Sequence, residues 1–176
     1  MIFVFIFIVI ITFIIYYYFS TKEKFLILIG KIEMSEEEVM NMLNTKRNLL
    51  IPICKNVNCV LKKKIFTNLK NLENIEDFNK LDRELTTTNY DLKEYLLINK
   101  EFVFSDESEE KYKELEELEV KLRSAKDYYN KYVSIYNEMI DKFPSSVIAK
   151  RQNIDFKFVY SLEKIEMFDI LNKKTL

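Results

Sequence analysis

The stretch SDESEEKYKELEELEVKLRSAKDYYNKYVSIYNEMIDKFP, residues 105–144, decides the fold. Its apolar and aromatic residues fall at Leu115, Leu118, Leu122, Ala125, Tyr129, Tyr132, Tyr136, Met139 and Phe143, in alternating steps of three and four. That is the heptad seam of a helix buried along one side. Glu114, Glu117, Lys121, Lys126, Lys131 and Glu138 lie between the seam positions and read as a solvated face. The pattern predicts entry at Ser105-Asp106, with Asp106 and Glu109 as a capping box, and a stop at Pro144.

Upstream, Ser35-Glu36-Glu37-Glu38 reads as a second capping box, opening a helix through Val39, Leu43 and Leu50. Pro52 should kink or break that helix just before it. Val57, Leu61, Ile65, Leu69 and Leu72 continue a helical stripe. A further helix is expected from Asp77 to about Lys100, with Leu81, Leu85, Leu92 and Tyr95 inward. Its Thr86-Thr87-Thr88 run should mark an irregular stretch. In the tail, Ile154, Phe156, Phe158 and Tyr160 alternate like a strand and read as a loop or an extended piece. Leu162, Ile165, Phe168 and Leu171 then recur at helical spacing. Apolar-faced helices with short connections bury their stripes on one another, so the expected fold is all-α, an antiparallel (four-)helix bundle with long helices.

The N-terminus differs. Ile2 to Phe19 carries no charge, and about 18 residues at 1.5 Å each make a helix of roughly 27 Å, close to the hydrocarbon core of a bilayer. Tyr16-Tyr17-Tyr18 suits the headgroup layer, and Lys22 and Lys24 follow on what should be the cytoplasmic side. A cleaved signal peptide is the rival reading. It needs a charged leading region and small residues at the cut, whereas Met1 runs straight into Ile2 and Phe19-Ser20-Thr21 is a poor site. Phe25 to Ile29 is too short to span; it prolongs the first helix or lies at the interface. The expected organisation is an anchor and juxtamembrane segment at 1–29 and a bundle domain at 30–176.

Composition narrows the chemistry. The 176 residues include no histidine, which removes His-type zinc sites, Ser-His-Asp and Cys-His catalysis and His-ligated haem. The single glycine, Gly30, excludes the glycine-rich phosphate loops. Net charge is -1, so nothing global calls for nucleic acid. Cys54 and Cys59 would point roughly 140° apart on a helix and read as free thiols. The acidic runs at Glu36 to Glu38 and Asp106 to Glu119 read as solvated helix faces, with inward glutamate pairs acting as acid and base the sharper alternative. Lys55, Lys62-Lys63-Lys64 and Lys70 form a basic patch, either a plain solvated face or a contact for anionic lipid or nucleic acid. Tyr128, Tyr129, Tyr132 and Tyr136 could form a stacking platform, but three of them sit on the seam, where core packing is the default.

The last long helix resembles the LemA family. The stretch Tyr129-Asn130-x-x-Val133-x-x-Tyr136-Asn137-x-x-Ile140-x-x-Phe143-Pro144 is specific, with Glu119, Ala125 and Lys126 before it and Ile148-Ala149 after it. Lys46-Arg47-x-x-Leu50-Ile51-Pro52 is similar to the family's basic pair before Leu-Ile-Pro, and Asn89-Tyr90-Asp91-Leu92-Lys93 is a weaker echo. Leu49, Ile53 and Lys126 depart from the family, which usually has an acidic residue, an asparagine and an arginine there. The resemblance implies a membrane-anchored helical bundle without an assigned enzymatic activity. It marks Pro52, Glu119, Ala125, Tyr129, Asn130, Tyr136, Asn137, Phe143, Pro144 and Ala149 as motif residues, for which a structural role is expected. Asn130 and Asn137 follow seam tyrosines and can hydrogen-bond a neighbouring helix or loop.

The function expected is a non-enzymatic scaffold or interaction module tethered to the cell membrane, N-terminus outside and body cytoplasmic. It contacts the bilayer through residues 2–19 and an unidentified protein partner, with no nucleic acid, no cofactor and no metal; the oligomeric state is open. The rivals are a carboxylate-lined ligand-binding or enzymatic bundle, and a lipid-binding or membrane-remodelling protein.

Overall fold

A computed structural model describes residues 1–54, 69, 72, 77–99 and 105–160. The helices among them are α1 (Ile2–Ile53), α2 (Phe78–Ile98), α3 (Asp106–Asp141) and α4 (Ser145–Arg151), and there is no strand among the described residues. The fold is all-α. The chain forms two compact units: one of Met1–Glu36 with Asp127–Val159, the other of the described residues of Glu37–Lys126 with Tyr160. Both α1 and α3 contribute to each.

Helix α1 buries Thr21, Phe25, Leu28, Ile32, Ser35, Val39, Leu43, Lys46, Leu50 and Ile53. Those steps of three and four trace one stripe along an uninterrupted helix. Two expectations are corrected here. Ser35 opens no helix: its hydroxyl donates back to the carbonyls of Lys31 at 2.8 Å and Ile32 at 2.9 Å, and the preceding turns already engage the amides a cap would serve. Nor does the helix break before Pro52. It runs through the proline and ends at Ile53, because in a last turn the ring forfeits only the bond to Asn48. Phe25 to Ile29 prolongs the first helix, and Gly30, the expected boundary between anchor and body, lies inside it.

In α2, Asp77 is the N-cap, its carboxylate accepting from the amides of Asn79 at 2.9 Å and Lys80 at 3.3 Å. The threonine run is regular helix, not the expected irregularity. Thr87 and Thr88 satisfy their hydroxyls on the carbonyls of Arg83 and Glu84, both at 2.9 Å, so β-branching is tolerated. The cap of α3 lies one residue earlier than the expected box: the Glu109 amide bonds the Ser105 carbonyl at 2.9 Å, and Ser105 Oγ faces Ser108. Asp106 and Glu109 stay in the first turn, where carboxylates favour the helix dipole.

The buried line of α3 is Leu115, Leu122, Ala125, Tyr129, Val133, Tyr136 and Ile140. It leaves the expected heptad seam after Tyr129. A straight helix drifts by about 20° per seven residues, so Val133 and Ile140 replace Tyr132 and Met139, which are half-buried. Phe143, expected on the seam, is 83% exposed, because the helix ends at Asp141 and its phase no longer applies.

Buried Val39, Leu43, Leu50, Ile53, Leu81, Leu85, Leu92, Leu115 and Leu122 belong to one core within the second unit. Leu69 and Leu72 join that core; the rest of the stripe expected from Val57 to Ile65, Cys59, the Lys55 to Lys70 patch and the helix expected from Leu162 to Leu171 lie outside the described residues. Residues 154–160 carry neither helix nor strand.

The contrast between Leu122, 1% exposed, and its exposed neighbour Lys121 tests this packing. Leu122→Ala should cost about 2 to 5 kcal/mol and Lys121→Ala no more than about 0.5 kcal/mol. Denaturant melts of the full chain in detergent micelles measure both, and equal losses would mean that the core has been misassigned.

Candidate functional site: a buried charge network

Within the second unit, polar side chains from α1, α2 and α3 meet on helix faces that are otherwise apolar. Lys46 takes a place on the α1 stripe and is 1% exposed. Its ammonium lies 2.7 Å from Glu119 Oε1 on α3 and donates to Thr86 Oγ1 on α2 at 3.2 Å. Thr86 donates in turn to Asp82 Oδ1 at 3.4 Å. Asp82 Oδ2 accepts from Lys126 Nζ at 2.5 Å and from the Tyr160 hydroxyl. Asn89 Nδ2 donates to Glu119 Oε1 at 2.9 Å. The chain of bonds thus runs from Asn89 through Glu119, Lys46, Thr86 and Asp82 to Lys126 and Tyr160. Two ammonium groups face two carboxylates, so the cluster, buried at Lys46 and Asp82 and half-buried at Glu119 and Lys126, is formally neutral, which offsets the desolvation the two buried ions would otherwise suffer alone.

The Tyr160 ring is wedged into this end of the network. Lys126 Nζ stands 4.8 Å from its centroid, and the Phe78 ring stacks on it at 5.5 Å. Asn89 Oδ1 is the one buried side-chain polar atom among the described residues without a hydrogen-bond partner. Asp82 and Tyr160 escaped sequence reasoning, and Lys46 and Asn89 entered only as parts of a resemblance. A signal for Asp82 existed: it sits between Leu81 and Leu85 on the inward phase of α2, where a carboxylate needs partners.

The tyrosine–asparagine pairs belong to the first unit and do different work. Asn137 Nδ2 donates to the Lys157 carbonyl at 2.7 Å, and the Lys157 amide donates to Asn137 Oδ1 at 2.9 Å. The Tyr129 hydroxyl donates to the Phe158 carbonyl at 3.3 Å. Together they hold the extended segment on α3. Burial, then the Glu36 charge, pushes the Tyr129 phenol above its ordinary range. The Tyr136 ring meets Phe25 edge-on at 5.8 Å. Tyr128 and Tyr132 contact each other at 4.5 Å, with Lys31 Nζ 4.8 Å from the Tyr132 ring. A shallow groove of about 410 Å³ opens beside Ser134, Asn137, Phe156 and Val159, and two charges on its rim, Glu138 and Lys142, pair with each other.

Of the other motif residues, Ala125 and Ala149 are buried, Pro52, Asn130 and Pro144 are half-buried, and Phe143 is exposed. The acidic faces carry ordinary helix pairs, Lys113–Glu109 at 2.7 Å and Lys111–Glu114 at 3.0 Å. Cys54 is buried, and desolvation pushes its thiol from 9.0 up to about 12, which suppresses the reactive thiolate near neutral pH. Among the described residues no three Cys, Asp or Glu side chains gather as a metal site would require.

Asp82 should be the most sensitive member of the network, being 1% exposed with Lys126, Tyr160 and Thr86 all directed at it. Asp82→Asn should destabilise the protein by about 3 to 5 kcal/mol by stranding a largely buried ammonium. The double variant Asp82→Leu, Lys126→Met should recover much of that loss. Thermal melts that showed no loss for Asp82→Asn would mean that the network does not hold the unit together.

Comparison with known proteins agrees with the placement of these motifs. No curated protein and no solved structure matches the chain. A family model described as the LemA family matches residues 31–169, which takes in all four members of the ion network, the tyrosine–asparagine pairs and the Phe143–Pro144 turn. On a match over most of its length, the chain belongs to the LemA family.

Proposed function

We propose that this protein is a non-enzymatic, membrane-tethered helical scaffold or interaction module of the LemA type. The observation that carries this reading is the state of α1. Residues 2–16 are exposed throughout, and the apolar window has a mean hydropathy of 2.7 and is 0% buried. A helix with no protein cover and no charge needs an apolar surround, and its length matches a bilayer core. The same helix continues into buried packing from Thr21 onward, so the membrane contact passes to the body without a linker. The cell membrane is the proposed site, with the body on the cytoplasmic side, because Lys22 and Lys24 flank the apolar run on that side.

The polar chemistry supports a scaffold over an enzyme. Asp82 and Glu119 are engaged by lysines, a threonine, an asparagine and a tyrosine within the same network. Groups so engaged hold helices in place; a general acid or base must instead meet a substrate. An interaction module also suits the apolar side chains left outward in the second unit, Leu97 at 74%, Ile98 at 73% and Val120 at 69% exposed.

Two experiments test this. Phe7→Lys or Ile10→Lys should cost about 2.5 to 3.5 kcal/mol of insertion free energy and release the chain from the membrane fraction on alkaline washing; in the unsubstituted chain, protease added outside intact cells should leave the body uncut. Retention of the lysine variants would misplace the anchor, and external cleavage beyond Gly30 would reverse the orientation. A photocrosslinker at exposed Ser124, one turn from Val120, should capture a discrete protein in native membranes, lost on Val120→Glu. Crosslinks to lipid alone would overturn the scaffold reading.

A further inference from the structure

We infer that Phe143, Val147, Lys150 and Arg151 form a docking face for the anionic headgroup layer of the bilayer that α1 enters, an inference that rests on reading the first turns of α1 as the span. Protein cover of α1 begins at the tyrosine triplet: residues 2–16 are exposed, Tyr17 and Tyr18 are half-buried, and Thr21 and Phe25 are buried. That level marks where the helix leaves the body. The end of α4 stands there, since Gln152 Nε2 donates to the Tyr18 hydroxyl at 3.1 Å.

The end of α3 reaches the same level. Within the first unit α3 runs antiparallel to α1, because Tyr132 meets Lys31 and Tyr136 meets Phe25. From Tyr136 to Asp141 is about 7.5 Å along the axis, and the same rise from Phe25 leads back to Ser20. The Phe143–Pro144 turn and α4 therefore lie beside the point where α1 emerges.

The sides of α4 are sorted. Ser145, Ile148 and Ala149 are buried, while Val147, Lys150 and Arg151 share the outward side at spacings of three and four. Phe143, in the turn that leads into α4, is 83% exposed, and Val147 is 58% exposed. Two apolar side chains flanked by an ammonium and a guanidinium suit a headgroup layer, where the rings and methyls sink toward the acyl boundary and the cations meet lipid phosphates. Exposed Lys22 and Lys24 add positive charge at this level, against Glu23, Asp141 and Asp155, while Lys142 is occupied by Glu138. The balance is positive, so the ligand class is anionic phospholipid. The span supplies attachment, and this face supplies selectivity for the lipid around it.

The chain contains no tryptophan, so Phe143→Trp places a single reporter on the face. The full chain is reconstituted in phosphatidylcholine vesicles, with and without phosphatidylglycerol, in the presence of lipid brominated near the headgroup end of the acyl chain. The reporter should shift to the blue and be quenched, more strongly with phosphatidylglycerol. Lys150→Glu with Arg151→Glu should remove that gain. Separate chains carrying Phe13→Trp, within the span, and Met34→Trp, 73% exposed further along α1, should be quenched and unquenched respectively. An unquenched Phe143→Trp chain beside a quenched Phe13→Trp chain overturns the inference while leaving the span intact, and would leave the face to a protein partner. An unquenched Phe13→Trp chain removes the span and the inference together. Quenching indifferent to phosphatidylglycerol or to the charge reversal overturns the assignment to anionic lipid.

Discussion

A lysine on the apolar stripe of α1 sets the terms for the second unit. Lys46 occupies a position where its neighbours along the stripe are Leu43 and Leu50, and its ammonium is shut off from water. An unpartnered charge there would cost several kcal/mol, so α3 must bring Glu119 and α2 must bring Thr86 to the same level. Hydrophobic packing alone tolerates sliding by a turn, since leucine meets leucine in either register. The ion network does not: a one-turn slip of α2 against α3 would part Asp82 from Lys126 and Asn89 from Glu119 together. Its contribution is to the uniqueness of the helix arrangement more than to the sum of its attractions.

The first unit solves a different problem. Its extended segment has no secondary structure of its own, yet Tyr129, Asn137 and the main chain at Lys157 and Phe158 bind it in register with α3. A side-chain amide sets an NH₂ donor beside a carbonyl acceptor in one plane, which lets Asn137 pair with the carbonyl and amide of Lys157 at once. A leucine in that place could add apolar contact but would leave both backbone groups without this partner. The recurrence of asparagine after tyrosine thus has a mechanical meaning at Asn137: the tyrosine packs inward while the amide reaches sideways.

The helices were legible because their periodicity is strong. Leu115, Leu122, Tyr129 and Tyr136 lie on the buried line as their spacing demands, and the exposed apolar run before Tyr17 stands out by charge alone. What was not legible follows from context. Ser35 carries a cap signature, but a cap is called for only where a helix has no preceding turn. The threonines of α2 have poor propensity, but carbonyls four residues back accept their hydroxyls. The network was half hidden for another reason. Glu119 and Lys126 formed part of a resemblance but read as solvated by their spacing, an expectation that their bonds to Lys46 and Asp82 correct, and Asp82 itself drew no reading until the face of α2 was known. Tyr160 lay in a stretch whose pattern was compatible with a loop or an extended piece, and only tertiary structure brings it to Asp82.

The unbroken course of α1 also constrains how the gene can change. Each residue added to a helix turns everything beyond it by about 100° and advances it by about 1.5 Å. Ahead of Tyr17 that rotation is harmless, because residues 2–16 pack against no other part of the protein and so have no preferred azimuth. Between Thr21 and Ile53 a single inserted residue would swing part of the stripe out of the core, carrying Lys46 away from Glu119 or Phe25 away from Tyr136 according to where it fell. Insertions or deletions of about seven residues, near two full turns, would restore the azimuth but shift the level of every contact. Length variation in this protein should therefore collect in the uncovered turns ahead of Tyr17 and be scarce in the rest of the helix.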